Sequence, residues 1–412
     1  MLGWLKGRVQ SLNQSSIASV ALILFFIFWA DAILSNWVPV HLENKVGPLW
    51  MGLLMSFSSL VGLIADVVLP QLLKGITVKR LLWLALLAGF IFVGILFISD
   101  WLLVTVLLIV GMVFWGLYYE LLSFADHQFV AKNAEKSERT SYWAVIGVII
   151  SLAYLLGPLV GNFLIRGGDN LVLGVSLFLS AIGGCLLLMT KLSNRSAEIG
   201  ELDVIDEIRK WKSLFPRMWP VLISSLMISI IDSIFWTTGA VISDKLGQVS
   251  KLGGLFLAAF VFPSIFVGVI VYRWGIYERK KFWSQFFLLL GGLFLAGLLV
   301  SVKIWWVILC VFLAGAMTAA VWPLIGAVYS DIVVRIGKHG RHVVGLSVAM
   351  MNIGYIIGPA VAGMSSRYLG MMGTVGALGI VTVAVTLILI VATPKKIKLP
   401  QTEIQHWGRI DE

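Results

Sequence analysis

Apolar runs long enough to cross a bilayer recur along the whole 412-residue chain, with only short polar breaks between them. A helix rises about 1.5 Å per residue and crosses hydrocarbon in about 20 apolar residues. Twelve runs meet that length: 16–40, 47–73, 81–99, 101–125, 142–165, 170–190, 217–241, 252–273, 282–301, 304–329, 343–366 and 370–393. Only 13% of the chain is charged, against roughly 25% in a soluble domain. The mean hydropathy is +0.97. Such a chain needs lipid as its solvent, and no stretch is polar or long enough for a separate soluble domain. Lys6 and Arg8 precede the first run as in a signal peptide, but the run is too long for a cleaved apolar region and reads as a retained span.

The charges record the topology. With the N-terminus inside, alternate loops and the two termini hold 25 of the 31 Lys and Arg residues, and the outer loops hold six. That asymmetry follows the positive-inside rule and predicts both termini on the cytoplasmic face of the cell membrane. The net charge of +10 is therefore a topology signal, and no nucleic-acid partner is expected. The loop between spans six and seven is the longest. There Leu202, Ile205, Ile208 and Trp211 recur at near-helical spacing among charges, which predicts an amphipathic helix along the inner membrane surface.

Other chemistry is poorly represented. Cys185 and Cys310 lie in apolar runs and read as buried small hydrophobes. No His/Cys set has metal-ligand spacing, and no phosphate-binding glycine loop occurs. No catalytic residues, metal or cofactor are expected, and the chain does not read as an enzyme or an ATP-driven pump.

The two halves repeat. Tyr154 opens YLLGPLVG in span five and Tyr355 opens YIIGPAVAG in span eleven, 201 residues later. Asp31 in span one matches Asp232 in span seven at the same offset. The loop GITVKRLLW from Gly75 answers GIYERKKFW from Gly275, and Asp126 and Asp331 end spans four and ten. Both halves start on the same side, so the repeat is parallel, about an axis along the membrane normal. The expected domains are a six-helix bundle over 1–191, a linker over 192–216, a second bundle over 217–394 and a tail over 395–412.

Twelve spans, two parallel halves and a long inner loop resemble the major facilitator superfamily of secondary transporters over nearly the whole chain. The family's loop between spans two and three has a glycine and a basic end, matched here by Gly75, Lys79 and Arg80. Its acidic position falls on Leu72. The second copy keeps Gly268, Arg273 and Gly275, with Tyr272 at the acidic position. Gly157-Pro158 in span five and Gly358-Pro359 in span eleven resemble the glycine-proline motif of the family's drug antiporters. Proline weakens the helix ladder and small residues allow close packing, so the pattern also suits a tight helix crossing. Span four lacks the arginine of the proton-coupled drug antiporters. Acids on spans one, two and four are similar to those of sodium-coupled sugar symporters.

An ionisable group in hydrocarbon costs at least about 2.5–3.5 kcal/mol, so a buried one is a functional candidate by default. Asp31, Asp66, Glu120 and Asp232 qualify, and no Lys or Arg lies well inside a span to pair with them. They are candidates for carrying protons, or for holding sodium or a cationic substrate. The resemblance implies that spans one, four, seven and ten line a central cavity. Its candidate lining residues are Asn36, Trp115, Tyr118, Tyr119, Ser229, Trp236, Trp322, Asn352 and Tyr355. The leading expectation is a monomeric, proton-coupled transporter of a small organic solute by alternating access, leaning to export of amphipathic compounds. The alternatives are sodium- or proton-coupled uptake of a sugar or other nutrient, and a non-transporting receptor or lipid-moving protein.

Overall fold

The computed structural model describes residues 14–73, 75–102, 105–133, 139–190, 204–274, 276, 278–394 and 397. Among them there is helix and no strand, as hydrocarbon demands of a backbone that must satisfy its own hydrogen bonds. Nine helices among the described residues are long and apolar enough to cross a membrane. Two of these are each a pair of spans. Gln14–Leu72 breaks at Gly47 (φ 78°) and Gly340–Ala392 breaks at Gly370 (φ 69°). Only glycine reaches such positive φ at little steric cost, so each corner turns the chain without a longer loop. Spans three to six are Val78–Leu102, Thr105–Asn133, Arg139–Ile165 and Asp169–Met189. Spans nine and ten begin as Lys280–Ala296 and Ile304–Ile336.

Span eight departs from the expected single helix. It is a turn at Gly253–Leu255, a short helix Phe256–Val261, and a second helix Ser264–Trp274. Pro263 lies at the break, where its missing N–H and its ring interrupt the ladder. With this segment the helical passages are consistent with the twelve read from the sequence.

Span seven also differs. The helix Val204–Ile234 runs without a stop from the linker into the span, with Pro216 and Pro220 inside it. It then passes through a π-helical turn, Phe235–Gly239, into Ala240–Val249. The segment expected as a separate surface helix is therefore the start of span seven, and its Leu202 lies outside the described residues. The reason is a buried stripe at four-residue spacing, Lys210, Leu214, Met218 and Leu222, each at most 3% exposed. Glu207 meets His342 at 2.6 Å, and Trp211 lies against Gly345 of span eleven.

The chain divides into two compact units, residues 1–41 with 57–200, and residues 42–56 with 201–412. In the first, Asp169 in the opening turn of span six accepts Trp37 Nε1–H at 2.7 Å and meets His41 Nδ1 at 3.2 Å. A carboxylate there also complements the helix dipole. In the second, residues 42–56 join the later spans: Glu43 pairs with Lys245 at 2.9 Å, and Gly52 approaches the backbone of Gly363. Cys185 and Cys310 are both free. Cys310 is buried, but Cys185 is exposed, on a span face where Phe178 and Leu188 are exposed too.

Candidate functional site

In the first unit the polar cluster grows from span one. Asp31 is 1% exposed and has two donors: Trp115 Nε1–H from span four at 3.2 Å and Tyr154 O–H from span five at 2.7 Å. One helical turn on, Ser35 and Tyr119 share a hydroxyl–hydroxyl hydrogen bond of 3.0 Å. Asn36 donates from Nδ2 to Asn162 Oδ1 at 3.1 Å. Trp115 stacks on Phe92 with centroids 5.0 Å apart, which fixes the indole that reaches Asp31. Tyr118 turns the other way and donates to the Ile27 carbonyl at 3.3 Å.

The second unit repeats the central pair. Asp232 on span seven accepts a hydrogen bond from Tyr355 O–H on span eleven. Tyr355 is to Asp232 as Tyr154 is to Asp31, with 123 residues between partners in both cases. Among the described residues neither carboxyl has a salt bridge. The repeat shows Tyr154 and Tyr355 at matching positions without marking either as the partner of an acid. Both members of each pair recur at the common 201-residue offset, and that coincidence was the available signal.

The glycine-proline motifs hold these pairs in register. A Cβ built on Gly157 would lie 2.3 Å from the Ala32 Cβ and 2.7 Å from the Ala32 backbone. A Cβ on Gly358 would lie 2.0 Å from Ser233 Oγ. Ala32 and Ser233 follow Asp31 and Asp232 directly in sequence. The motif therefore seats span five on span one, and span eleven on span seven, beside the acid each time. Pro158 and Pro359 lie inside their helices.

The other candidates are dispersed. Asp66 and Glu120 do not join Asp31. They face one another across spans two and four, with Asp66 exposed and Glu120 partly buried. Ser229 is buried beside Gly354, and its hydroxyl has no hydrogen-bond partner among the described residues. Ser225 instead bonds Tyr329 O–H at 2.8 Å, a span-ten partner absent from the sequence reading. Trp236 lies in the π-helical turn, a feature enriched at functional positions. Trp322 and Asn352 are partly buried.

The loop motif caps helices. Lys79 donates to the Leu188 carbonyl at 3.3 Å and to that of Thr190 at 3.0 Å, at the end of span six. Lys281, 201 residues after Arg80, donates to the Pro394 carbonyl beyond span twelve. A cation there complements the helix dipole and its unpaired carbonyls. Arg80 begins the same helix, its N–H reaching Thr77 Oγ1 at 3.4 Å. Gly75 sits in the turn at φ 78°, and Gly275 lies outside the described residues. No group of three or more metal-ligating side chains occurs among the described residues.

The helices are arranged as in several solved membrane-protein structures. The chain is similar in structure to a bacterial homolog of the human lysosomal transporter Spinster, solved inward-facing and unoccupied (TM-score 0.70, 12% identity, 94% of this chain and 98% of that one). It is also similar to a POT family transporter in complex with 5-aminolevulinic acid (0.72, 12%, 92% and 96%). A third is the human organic anion transporter MFSD10, also called TETRAN (0.62, 15%, 92% and 100%). No curated protein matches the sequence. The family model of the Major Facilitator Superfamily matches residues 221–410, within the second half of the chain, and the solved structures share the fold along most of its length.

Proposed function

We propose that the protein is a proton-coupled exporter of small amphipathic organic compounds, working by alternating access of its two six-helix halves. The observation that carries this reading is the matched pair of acids, Asp31–Tyr154 and Asp232–Tyr355, the first buried and the second partly buried within its bundle, neither with a salt-bridge partner among the described residues. A carboxylate accepts from the phenol. Once protonated, it holds its charge-balancing proton without a cation beside it, and the phenol can serve as donor or acceptor. Such a group can therefore pick up and release a proton while its surroundings keep their hydrogen bonds. The rings around Asp31, those of Trp115, Tyr119 and Tyr154, suit an aromatic or cationic solute. The membrane is the cell membrane, with both termini cytoplasmic, and the protein acts as a monomer.

A second reading, uptake of a hydroxylated solute such as a sugar with sodium or protons, rests on the amides and hydroxyls beside Asp31. Asn36, Asn162, Ser35 and Tyr119 form paired hydrogen bonds of the kind a polyol can replace. Melting of the purified protein separates the two, measured with ethidium as an amphipathic cation and with a panel of sugars, at several pH values, with and without sodium. The export reading expects stabilisation by ethidium that changes with pH and ignores sodium. Stabilisation by a sugar only, dependent on sodium, would replace it with the second.

A further inference from the structure

The first four turns of the span-seven helix carry a feature that transport does not use. Arg209, Lys212, Ser213, Pro216 and Arg217 line an open cavity of about 520 Å³. Their spacing of three, four, seven and eight residues puts them on one helix face. Three of the five are cations, the lining contains no acid, and all three cations are exposed. The opposite face is fixed: Lys210, Leu214 and Met218 are buried, and Glu207 is held by His342. The basic face therefore cannot roll inward. Beside it lies a second stripe, Ile208 at 55% and Phe215 at 41% exposure, one heptad apart.

From this geometry we infer that the face is a binding site for the phosphate headgroup of an anionic phospholipid. Phosphate oxygens would lie among Arg209, Lys212 and Arg217, with Ser213, whose hydroxyl donates to the Lys210 carbonyl at 2.9 Å, lining the cavity between them, and the acyl chains would run along Ile208 and Phe215. Two features favour a lipid over a soluble phosphate compound. The helix continues directly into a membrane span, so the cavity sits at its water-facing end. The adjoining apolar stripe also gives acyl chains somewhere to lie, as on interfacial amphipathic helices. Basic pockets at this level select anionic headgroups. Arginine adds bidentate contacts to phosphate that lysine cannot copy. The inference rests on the membrane reading of the chain but not on its substrate or coupling ion.

The full chain is placed in nanodiscs of phosphatidylcholine, and bound phosphatidylglycerol is titrated in and counted by native mass spectrometry. The variant Arg209→Gln/Lys212→Gln/Arg217→Gln is compared with wild type. Each basic residue near an anionic surface is worth about fivefold in binding, so the triple loss should weaken phosphatidylglycerol on the order of a hundredfold. A control, Lys251→Gln/Lys303→Gln, removes exposed charge elsewhere and should leave binding unchanged. The charge-keeping variant Arg209→Lys/Arg217→Lys guards against misfolding and should retain most of it. Unchanged phosphatidylglycerol binding in the triple variant would overturn the site, as would an equal loss in the control. Complete displacement of the lipid by millimolar glycerol 3-phosphate would instead assign the cavity to a soluble phosphate compound and overturn the lipid assignment.

Discussion

The two halves solve one problem with unequal resources. Each places an acid on its first span, seats a glycine beside it and brings a tyrosine from its fifth span to the carboxyl. In the first half Asp31 has both Tyr154 and Trp115 as donors. In the second, Asp232 has Tyr355 as its donor and stands just before a π-helical turn. The helix crossings differ in the same sense. Gly157 abuts the Cβ and backbone of Ala32, whereas Gly358 abuts the Ser233 hydroxyl and, farther off, the Ile230 carbonyl. A repeated sequence therefore yields a stiff, well-supported acid in one half and a more lightly held one in the other.

The largest expected effect tests the crossings. Gly157→Ala must displace the Ala32 backbone, while Gly358→Ala can be relieved in part by rotation of Ser233 Oγ. Overpacking costs about 1–3 kcal/mol, and Gly157→Ala should fall near the top of that range and Gly358→Ala near the bottom. Thermal unfolding in detergent measures both. Equal losses would remove the asymmetry.

Next come the phenols. Tyr355→Phe deletes the donor to Asp232, whereas Tyr154→Phe leaves Asp31 with Trp115. A hydrogen bond to a charged group contributes about 1.5–3 kcal/mol, so Tyr355→Phe should destabilise more and should shift the pH dependence of ethidium-induced stabilisation further. The comparison is sharpened by Trp115→Phe with Tyr154→Phe, which should bring the first half to the level of the second. If that double variant behaves like Tyr154→Phe alone, the indole contributes nothing to Asp31.

The smallest effect lies in the loops. Lys280 pairs with Asp331 at 2.7 Å, with Asp331 exposed, while Lys79 in the corresponding loop of the first half caps span six. Exposed ion pairs contribute about 0–1 kcal/mol, and a cation at a helix C-terminus about 0.3–1 kcal/mol. Lys280→Gln should therefore lower the melting temperature only slightly and should lose its effect at high salt. Persistence of the Lys280→Gln effect in high salt would argue for a buried network rather than a surface pair.

Much of this plan can be read from the chain because its signals are periodic. Apolar run length and alternating charge mark the spans, and a common offset links Asp31 to Asp232 and Tyr154 to Tyr355. What was not legible depends on contacts that no local pattern carries. The helix from Val204 looked interfacial because its charges alternate with apolar residues, yet a buried four-residue stripe docks it and carries it into span seven. Span eight looked continuous because its residues are apolar, yet Pro263 divides it. Asp66 and Glu120 read as independent buried acids, and only the packing of spans two and four brings them together, away from Asp31. The partnership of Ser225 with Tyr329 likewise joins spans seven and ten, 104 residues apart.

The central claim is that Asp31 and Asp232 carry the coupling proton. The most direct measurement is ethidium accumulation in sealed everted vesicles driven by an imposed pH gradient, comparing wild type with Asp31→Asn and Asp232→Asn at equal membrane abundance. The account predicts gradient-driven accumulation in wild type and its loss in each variant. Undiminished gradient-driven accumulation in the double variant would contradict it.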